Sequence, residues 1–550
     1  MKNYQLDASI YEKLLIAGYE NLKANVEEVN DLNVFPIPDG DTGDNMLATL
    51  KGGLNKYDHE SMTLGEFAKK VANGMLLSAR GNSGVILSQM FAGISKGFEN
   101  LDVADLNQVE DAFKKGVQCA YKSVETPVEG TMLTVLKDGA EYSEKFTIDG
   151  SIDEYFENYL KEVKLSLEKT PDLLDVLKKA GVIDSGGAGI KYIFEGFLRH
   201  FKGEAFEYHN DETQNTNKNL DFSKFNENTI MQFGYCTEFL LQLQNSKIDI
   251  KSFDVNKEIE YLKSQGDSIV AFLTGTIFKV HVHTRNPGTI LQHFLSCGEF
   301  LTVKIENMTL QHNENIVKPS KPKYKINHVR KELGIVVVSN GDGMKKMLNE
   351  IGVDVIVDGG QSFNPSVEDL IEAYDATNAD HIIIFPNNNN IIMAANKSSE
   401  IYTKSKIHVI ETKNIGQAYL CLSNCDFDTK DYDELVEELK DCSDNAKVGL
   451  VSLAIRDSNI DNLNIKNGEY LGLVGKKIVV DCNNKIDAGI KLIDQIKTGD
   501  EDFIIAIYGK DMSDQEKEDF KKKVNQLYPD LEFYEFDGGQ EIYDLVIILQ

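Results

Sequence analysis

Residues 1 to about 203 carry apolar side chains at the spacing of amphipathic helices, and short polar or glycine-rich breaks separate these runs. Side chains three or four positions apart lie on one face of a helix. Strand-like alternation is scarce here, so we expect an all-α N-terminal domain over residues 1–205. Clear helical series are Ile10, Leu14, Leu15, Tyr19 and Leu22; Phe67, Val71, Met75 and Leu76; and Tyr192, Phe194, Phe197 and Leu198.

The pattern changes after residues 210–219, a polar stretch without apolar periodicity that is typical of a linker. Residues 226–316 then combine strand-like runs with helical segments, which predicts an α+β middle domain. Because strand side chains alternate between faces, His281 and His283 are expected on the same face of one strand.

A second linker, residues 317–325, contains two prolines and four lysines. Beyond it, short runs of β-branched residues alternate with helix-like segments, and this pattern continues to residue 550. The alternation predicts an α/β C-terminal domain of two lobes over residues 328–550, with a parallel sheet covered on both faces. Polar loops such as Gly359–Gly360 and Pro386–Asn388 follow these strands, where ligands often bind.

Composition excludes several classes of protein. The formal net charge of −30 disfavours nucleic acid as a partner, because phosphate binding needs clustered Lys and Arg. The longest apolar runs are strand-sized, which argues against stable insertion in a membrane. Seven scattered cysteines without a CxxC pair fit a reducing compartment, and residues 1–7 lack the apolar core of a signal peptide. We therefore expect a cytoplasmic protein.

Three carboxylates fall within six residues in a loop that contains two prolines and two glycines. No basic residue among Asp39, Asp41 and Asp44 offsets their repulsion, whereas a hard cation such as Mg²⁺ would remove it. An apolar, helix-patterned run follows at once, so Asp44 or Asn45 could cap a helix start. An acidic surface turn is the structural alternative.

Three further breaks between predicted helices have the composition of phosphate-binding loops, namely residues 80–84, 129–132 and 184–189. Such loops use backbone N–H groups, glycine for close approach, and a helix N-terminus behind them. Glycine also marks helix ends, so each break alone is a weak signal. Together with the aspartate cluster they predict a nucleotide–Mg²⁺ site in the helical domain.

Residues 33–46 resemble the metal loop of the dihydroxyacetone kinase nucleotide-binding domain, which is DhaL-like, and the later breaks are similar to its nucleotide loops. The resemblance implies a barrel of antiparallel helices that holds ATP and two Mg²⁺ ions, with Asp39 and Asp41 as metal ligands. Val34 stands where members with a GDGDHG loop have another Asp. The third ligand could be Asn33, Asp44 or Asn45. The nucleotide-binding residues that the resemblance implies are Asn45, Asn82, Ser83, Gly84, Thr131, Met132, Asp184, Gly186 and Gly187.

Segments 233–239, 279–284 and 305–308 resemble the central domain of the FakA proteins of bacterial fatty acid kinases, and segments 359–366 and 386–391 resemble the last domain of that family. The resemblance implies an ATP-dependent kinase that phosphorylates a fatty acid carboxylate to an acyl phosphate. It also implies that a separate fatty-acid-binding protein, which is DegV-like, is the partner that presents the substrate, and it implies a homodimer.

Cys236, His281 and His283 allow more than one interpretation. Two His and one Cys suit Zn²⁺ with an open fourth position. The histidines, or Arg285, could instead neutralise charge during phosphoryl transfer. The structural alternative is a buried, inert cysteine and two histidines that line a strand face.

Two other functions stay open. The chain could be a related kinase of a small hydroxyketone such as dihydroxyacetone. It could also be a non-catalytic regulator whose nucleotide domain senses ATP.

Overall fold

The computed structural model divides into two compact units, residues 1–208 together with 323–550, and residues 209–322. Each unit is described by itself. The structure describes residues 5–33, 40–54, 62–147, 150–204, 206, 235–250, 253–274, 276–307, 324, 329–361, 363–427, 429–454, 458–460, 463–475 and 477–550.

The N-terminal part of the first unit is helical, which confirms the all-α prediction. Buried apolar residues from successive helices form one core, in which the rings of Tyr159 and Phe194 stack with centroids 4.2 Å apart. In chain order the helices are α1 Ala8–Ala24, α2 Val26–Leu32, α3 Thr42–Gly53, α4 Leu64–Ser78, α5 Gly81–Gly97, α6 Leu106–Lys122, α7 Met132–Phe146, α8 Ile152–Leu173, α9 Asp175–Ala180 and α10 Ser185–Phe201.

The second unit is α+β, as predicted for the middle of the chain. Its four-stranded sheet has the order β2-β3-β1-β4, and neighbouring strands are antiparallel. Phe239, Phe278 and Phe294 lie in the core between the sheet and the helices. The elements are β1 Tyr235–Leu243, α11 Val255–Gln265, β2 Gly266–Thr274, β3 Ile277–Thr284, α12 Pro287–Leu295 and β4 Gly298–Asn307.

The C-terminal part of the first unit begins with a parallel four-stranded sheet of order β6-β5-β7-β8, as the β-branched runs predict. The buried centres of its strands, such as Val336–Val338 and Ile382–Phe385, are apolar because helices cover the sheet. The elements are β5 Lys331–Ser339, α13 Asp342–Ile351, β6 Val355–Asp358, α14 Val367–Thr377, β7 Ala379–Phe385, α15 Asn389–Ile401, β8 Lys406–Val409, α16 Ile415–Asn424 and α17 Tyr432–Asn445.

A six-stranded sheet follows, with the order β13-β12-β9-β16-β14-β15. The alternating pattern predicts a parallel sheet here as well, and this prediction is wrong. The sheet is mixed, and among its described strands only β14 and β15 pair in parallel. The short connection between β12 and β13 explains why these two strands are antiparallel, since parallel neighbours need a long crossover. The elements are β9 Lys447–Leu453, β10 Ser458–Ile460, β11 Leu463–Ile465, β12 Tyr470–Val474, β13 Lys477–Cys482, α18 Lys485–Ile496, β14 Phe503–Tyr508, α19 Asp514–Leu527, β15 Glu532–Asp537 and β16 Tyr543–Leu549.

The helical domain and the parallel sheet's helices share an apolar core within the first unit. Ala79 and Val85 belong to the same buried cluster as Val367 and Leu370 of α14. The backbone N–H of Val367 donates to the carbonyl of Ala79 at 3.2 Å. Across the described ranges, no helix combines the length and the apolar character that crossing a bilayer requires.

Candidate functional site

The four breaks that the sequence singles out each lead into the N-terminus of a helix. Helices α3, α5, α7 and α10 begin at Thr42, Gly81, Met132 and Ser185. The first backbone N–H groups of a helix have no partner inside the helix, and the helix dipole places partial positive charge there. Helix starts of this kind favour negatively charged ligands such as phosphates.

Contacts between these loops bring the helix starts together. Ser185 Oγ donates to Thr42 Oγ1 at 3.3 Å, which joins the starts of α3 and α10. The Asp184 carboxylate accepts a hydrogen bond from the backbone N–H of Met132, which joins α10 to α7. The starts of α3 and α5 also meet, because a Cβ on Gly81 would lie only 2.6 Å from Asn45 Nδ2. The predicted loops therefore form one cluster.

Helix α3 is capped by a residue that the sequence did not reveal. Asn30 of α2 accepts through Oδ1 from the backbone N–H of Gly43 at 2.7 Å and of Asp44 at 3.3 Å. Asn30 Nδ2 also donates to Asp44 Oδ2 at 2.8 Å. The expectation that Asp44 or Asn45 caps the helix is wrong, because both lie inside its first turn. An asparagine more than ten residues upstream carries no local capping signal.

Asp41 precedes α3 and makes no capping bond with its side chain. The residue is only 9 % exposed, so its carboxylate is largely withdrawn from water. Its Oδ2 accepts a hydrogen bond from Asn364 Nδ2, although the two residues are 323 positions apart. A buried carboxylate needs hydrogen bonds or a cation to offset its desolvation.

Asn364, which donates to this carboxylate, also has a buried Oδ1 without a hydrogen-bond partner among the described residues, and so does Asn82 at the start of α5. Unpaired buried acceptors are costly, so they mark places where a ligand or cation could bind. Carboxylate and amide oxygens are the ligands that Mg²⁺ prefers. The residues around Asp41 therefore fit a hard divalent cation.

Asp184 caps α10, and its Oδ2 accepts from the backbone N–H of Gly187 at 2.7 Å. Burial raises the pKa of its carboxyl to about 6, while the hydrogen bonds from Gly187 and Met132 oppose this shift. At neutral pH the group is therefore less firmly ionised than an ordinary aspartate.

The other predicted nucleotide residues lie at the same helix starts. Asn82, Ser83 and Gly84 form the first turn of α5, and Gly84 packs tightly on Thr49 of α3. Thr131 is the N-cap of α7, where its Oγ1 accepts from Leu133 N at 3.4 Å.

Of the predicted metal ligands, Asp44 is exposed and contacts Asn30, while Asn33 ends α2. Asp39 lies outside the described residues.

The predicted middle site is described only through its backbone. Strands β1 and β3 pair so that Cys236 lies opposite His283 and Glu238 opposite His281. The side chains of Cys236, His281 and His283 lie outside the described residues, and Arg285 is exposed. Among side chains that the structure does describe, no group of three His, Cys, Asp or Glu residues could hold a metal ion.

The polar loops of the C-terminal part also converge. Gly359, Gly360, Pro386 and Asn387 line a cavity of about 40 Å³ at the carboxyl ends of β5, β6 and β7. Ligands of open α/β sheets bind at such positions. The cavity has room for a few water molecules. A binding role for these loops stays a prediction.

Three family models match the chain in consecutive segments. Residues 36–199 match the DAK2 domain, residues 232–315 match the FakA-like middle domain of fatty acid kinase, and residues 334–550 match the FakA-like C-terminal domain of fatty acid kinase. The order agrees with the resemblance noted in the sequence.

Relatives of known sequence match almost the whole chain. An uncharacterized protein of Staphylococcus aureus (strain MRSA252) is 35% identical over 547 residues, which cover 98% of each chain. Protein YloV of Bacillus subtilis (strain 168) is 34% identical over 553 residues, which cover 98% of this chain and 99% of the relative.

Likenesses among solved structures are weak. The dihydroxyacetone kinase from C. freundii, in complex with AMP-PNP and Mg²⁺, matches 35% of this chain and 34% of its own at 14% identity and a TM-score of 0.27. The Streptococcus pneumoniae fatty acid kinase (Fak) B3 protein loaded with linoleic acid matches 40% of this chain and 99% of its own at 12% identity and a TM-score of 0.28.

Proposed function

Because this chain belongs to the FakA-like family of fatty acid kinase proteins, we propose that it transfers the γ-phosphate of ATP to the carboxylate of a fatty acid. The fatty acid would be presented by a separate, DegV-like fatty-acid-binding protein. Residues 1–205 would bind ATP, residues 226–316 would assist transfer, and residues 328–550 would dock the partner. Cytoplasmic location and a homodimer stay predictions.

The observation that carries the proposal is the meeting of four helix N-termini beside a buried carboxylate. The contacts Thr42–Ser185, Asn45–Gly81 and Met132–Asp184 join the helix starts. Several converging helix N-termini supply N–H donors and positive potential for a polyphosphate. ATP is a ligand of that class.

The oxygen atoms at this site fit Mg²⁺. Asp41 would be its main ligand, and Asp39, Asn33, Asp44 and Asn45 are further candidates. Bound there, the ion would neutralise charge on the phosphates of ATP. Asn45 and the α5 residues Asn82, Ser83 and Gly84 would hold the phosphates next to it. The same assignment gives Thr131, Met132, Asp184, Gly186 and Gly187 to the nucleotide.

The transfer needs no strong base. A fatty acid carboxylate is already an anion at neutral pH. One carboxylate oxygen forms a bond to the γ-phosphorus while the bond from that phosphorus to the β–γ bridging oxygen breaks, and ADP leaves. The main barrier is the repulsion of two anions, which positive groups reduce. His281, His283, Arg285 and Cys236 would act at this step, either directly or through a bound Zn²⁺.

A separate carrier would suit the chemistry of the substrate. A fatty acyl chain is apolar and needs an enclosed apolar tunnel to keep it from water. A partner that encloses the chain and exposes the carboxylate would solve this problem. The C-terminal domain is the segment that we propose for docking this partner.

The test is ATP consumption by the purified protein with Mg²⁺ and oleate, measured with and without a DegV-like fatty-acid-binding protein from the same cell. We expect turnover only when the partner is present, and an acyl phosphate that hydroxylamine traps as a hydroxamate. Turnover with free dihydroxyacetone instead would assign the chain to the small-molecule kinases. ATP binding without turnover on any acceptor would make the protein an ATP sensor.

A further inference from the structure

The C-terminal domain reaches into the candidate nucleotide site through Asn364. This residue lies between β6 and α14 and is only 2 % exposed. Its side-chain Nδ2 donates to Asp41 Oδ2. The same nitrogen lies 3.4 Å from the position that a Cβ on Gly81 would occupy, so it lies between the starts of α3 and α5.

Arg80 of the helical domain holds the segment that carries Asn364. Arg80 Nη1 donates to the backbone carbonyl of Asn364 at 3.3 Å. Its guanidinium lies over the ring of Phe363, 4.9 Å from the centroid, and Nη2 lies 3.7 Å from Asp369 Oδ2. The planar guanidinium with several donors suits such a multiple contact. The Asn364 amide is therefore anchored through its own backbone.

A second polar contact and an apolar core keep the two domains in this arrangement. Asn82 Nδ2 donates to Asn390 Oδ1 at 3.3 Å, which links the first turn of α5 to the start of α15. Val367 and Leu370 share a buried cluster with Ala79 and Val85. Close-packed apolar contacts transmit position because they resist small displacements.

We propose that Asn364 is a positioning residue for the Asp41 carboxylate, so that the nucleotide–metal site of the helical domain is complete only with the C-terminal domain docked on it. The inference rests on the proposed function, since it takes Asp41 as a ligand of Mg²⁺. It goes further, because it makes the C-terminal domain part of the ATP site in addition to its docking role.

The hydrogen bond is compatible with metal binding. An ionised carboxylate has about four acceptor positions, so an amide donor on Oδ2 leaves room for a cation. Hydrogen bonds from outside the ligand shell orient ligating carboxylates, and their loss typically weakens metal affinity by about 10–100-fold. Without Asn364, the Asp41 side chain would lose a donor and a fixed orientation in a site that is withdrawn from water.

The experiment uses the full-length Asn364→Ala variant and titrates a non-hydrolysable ATP analogue with and without Mg²⁺. We expect the Mg²⁺-dependent gain in affinity to fall about 10–100-fold. Affinity in EDTA should stay unchanged, because the helix N-termini are intact. Asn396→Ala is the matched control, since Asn396 lies in the same domain and donates to Glu411 at the exposed surface.

Two additions keep the result interpretable. Asn364→Leu keeps a branched side chain of similar shape without a donor, and it should show the same loss if the Ala variant unfolds. In an Asp41→Asn background, Asn364→Ala should have no further effect on the Mg²⁺ dependence, because the effects of substitutions at two coupled residues are not additive.

Three results would overturn the inference. Equal Mg²⁺ dependence in the wild type and in Asn364→Leu would exclude a positioning role. Tighter Mg²⁺ binding in the variants would show that the contact inhibits the site. A parallel loss of affinity with and without Mg²⁺ would show that Asn364 only supports the fold. If the wild type itself gains no affinity from Mg²⁺, the proposed function fails together with the inference.

Discussion

Asp41 stands at a capping position but does not cap the helix that follows it. Asn30 supplies the capping oxygen to Gly43 and Asp44 instead. The Asp41 carboxylate lies buried next to Asn364. Burial of a charged group is expensive unless the site gives it a partner. The carboxylate therefore does not serve to cap α3, and ligand binding stays the role that we propose for it.

Asp41→Ala should lower Mg²⁺-dependent ATP turnover at least about 100-fold, because it removes an oxygen ligand at the transferring phosphate. Without Mg²⁺ the variant should still unfold cooperatively, since the side chain does not cap α3, and it should lose about 1–3 kcal/mol for the Asn364 donor that it leaves unpaired. Asp111→Asn is a suitable control, because Asp111 is an exposed carboxylate that pairs with Lys115 in the same domain. Full turnover in Asp41→Ala would contradict the metal role.

Asp184 should make stability depend on pH. Its folded pKa of about 6 lies above the ordinary value of 3.8, so between these values the folded protein holds a proton that the unfolded chain has released. The free energy of unfolding should therefore fall as the pH rises through this interval. Asn also caps helices, so Asp184→Asn should keep the cap but lack this pH dependence. Its free energy of unfolding should therefore increase relative to that of the wild type as the pH rises.

Urea unfolding of both proteins between about pH 4 and pH 7 would measure this difference. If the difference in the free energy of unfolding between the two proteins does not change with pH, the raised pKa of Asp184 is contradicted.

At the scale of elements, the site depends on how closely α3 and α5 approach each other. Gly81 begins α5 with φ of +57°, and a Cβ there would meet Asn45 Nδ2 at 2.6 Å. Gly84, one turn later, meets Thr49 of α3 just as closely. Because glycine has no side chain, these two residues permit α3 and α5 to pack closely at the site.

Gly81→Ala and Gly181→Ala form a matched pair. Both glycines have positive φ, so both alanines should lose about 1–2 kcal/mol of folding free energy. Space around Gly181 is open, whereas Gly81 is crowded by Asn45. Gly81→Ala should therefore cost about 1 kcal/mol more, and it alone should weaken ATP binding. Chemical unfolding and calorimetric titration measure the two effects, and equal losses in both variants would contradict the crowding argument.

At the scale of the whole molecule, segments far apart in the sequence form one unit. Residues 1–208 and 323–550 belong together, while residues 209–322 form a unit of their own. Removal of residues 328–550 would expose Ala79 and Val85, which share a buried cluster with α14. The C-terminal domain is therefore a structural neighbour of the candidate nucleotide loops as well as the proposed docking domain.

His281→Ala and His283→Ala test the role of the middle unit. Both residues lie on β3, in a unit separate from the nucleotide loops. We expect each change to slow partner-dependent phosphoryl transfer at least about 10-fold, because charge stabilisation at the phosphate is lost. ATP affinity should stay within about 2-fold of the wild type. The exposed Lys263→Ala is the control in the same unit, and equal losses of transfer and ATP binding would point to a structural role of the strand.

Local patterns in the sequence predicted the architecture of each domain. Apolar periodicity marked the helices of residues 1–205 and the strands of the parallel sheet, because burial of one face repeats with the period of the element. The breaks at 80–84, 129–132 and 184–189 were correctly located at helix starts, since glycine and capping residues act within a few positions. Their extent was wrong, because residues 81–84 and 185–189 are already helical in α5 and α10. The mixed order of the last sheet was missed, because strand patterns do not encode the direction of pairing.

The arrangement of the site was decided by the tertiary structure alone. Asn30 caps α3 from a neighbouring helix, and Asn364 binds Asp41 from the C-terminal domain. Neither contact leaves a local pattern, because a hydrogen bond between distant residues depends on where packed helices and sheets place them. The sequence predicted which residues bind ATP and Mg²⁺, and this assignment stays a prediction. Packing of apolar surfaces determined that their helix N-termini meet, and that the C-terminal domain lies against them.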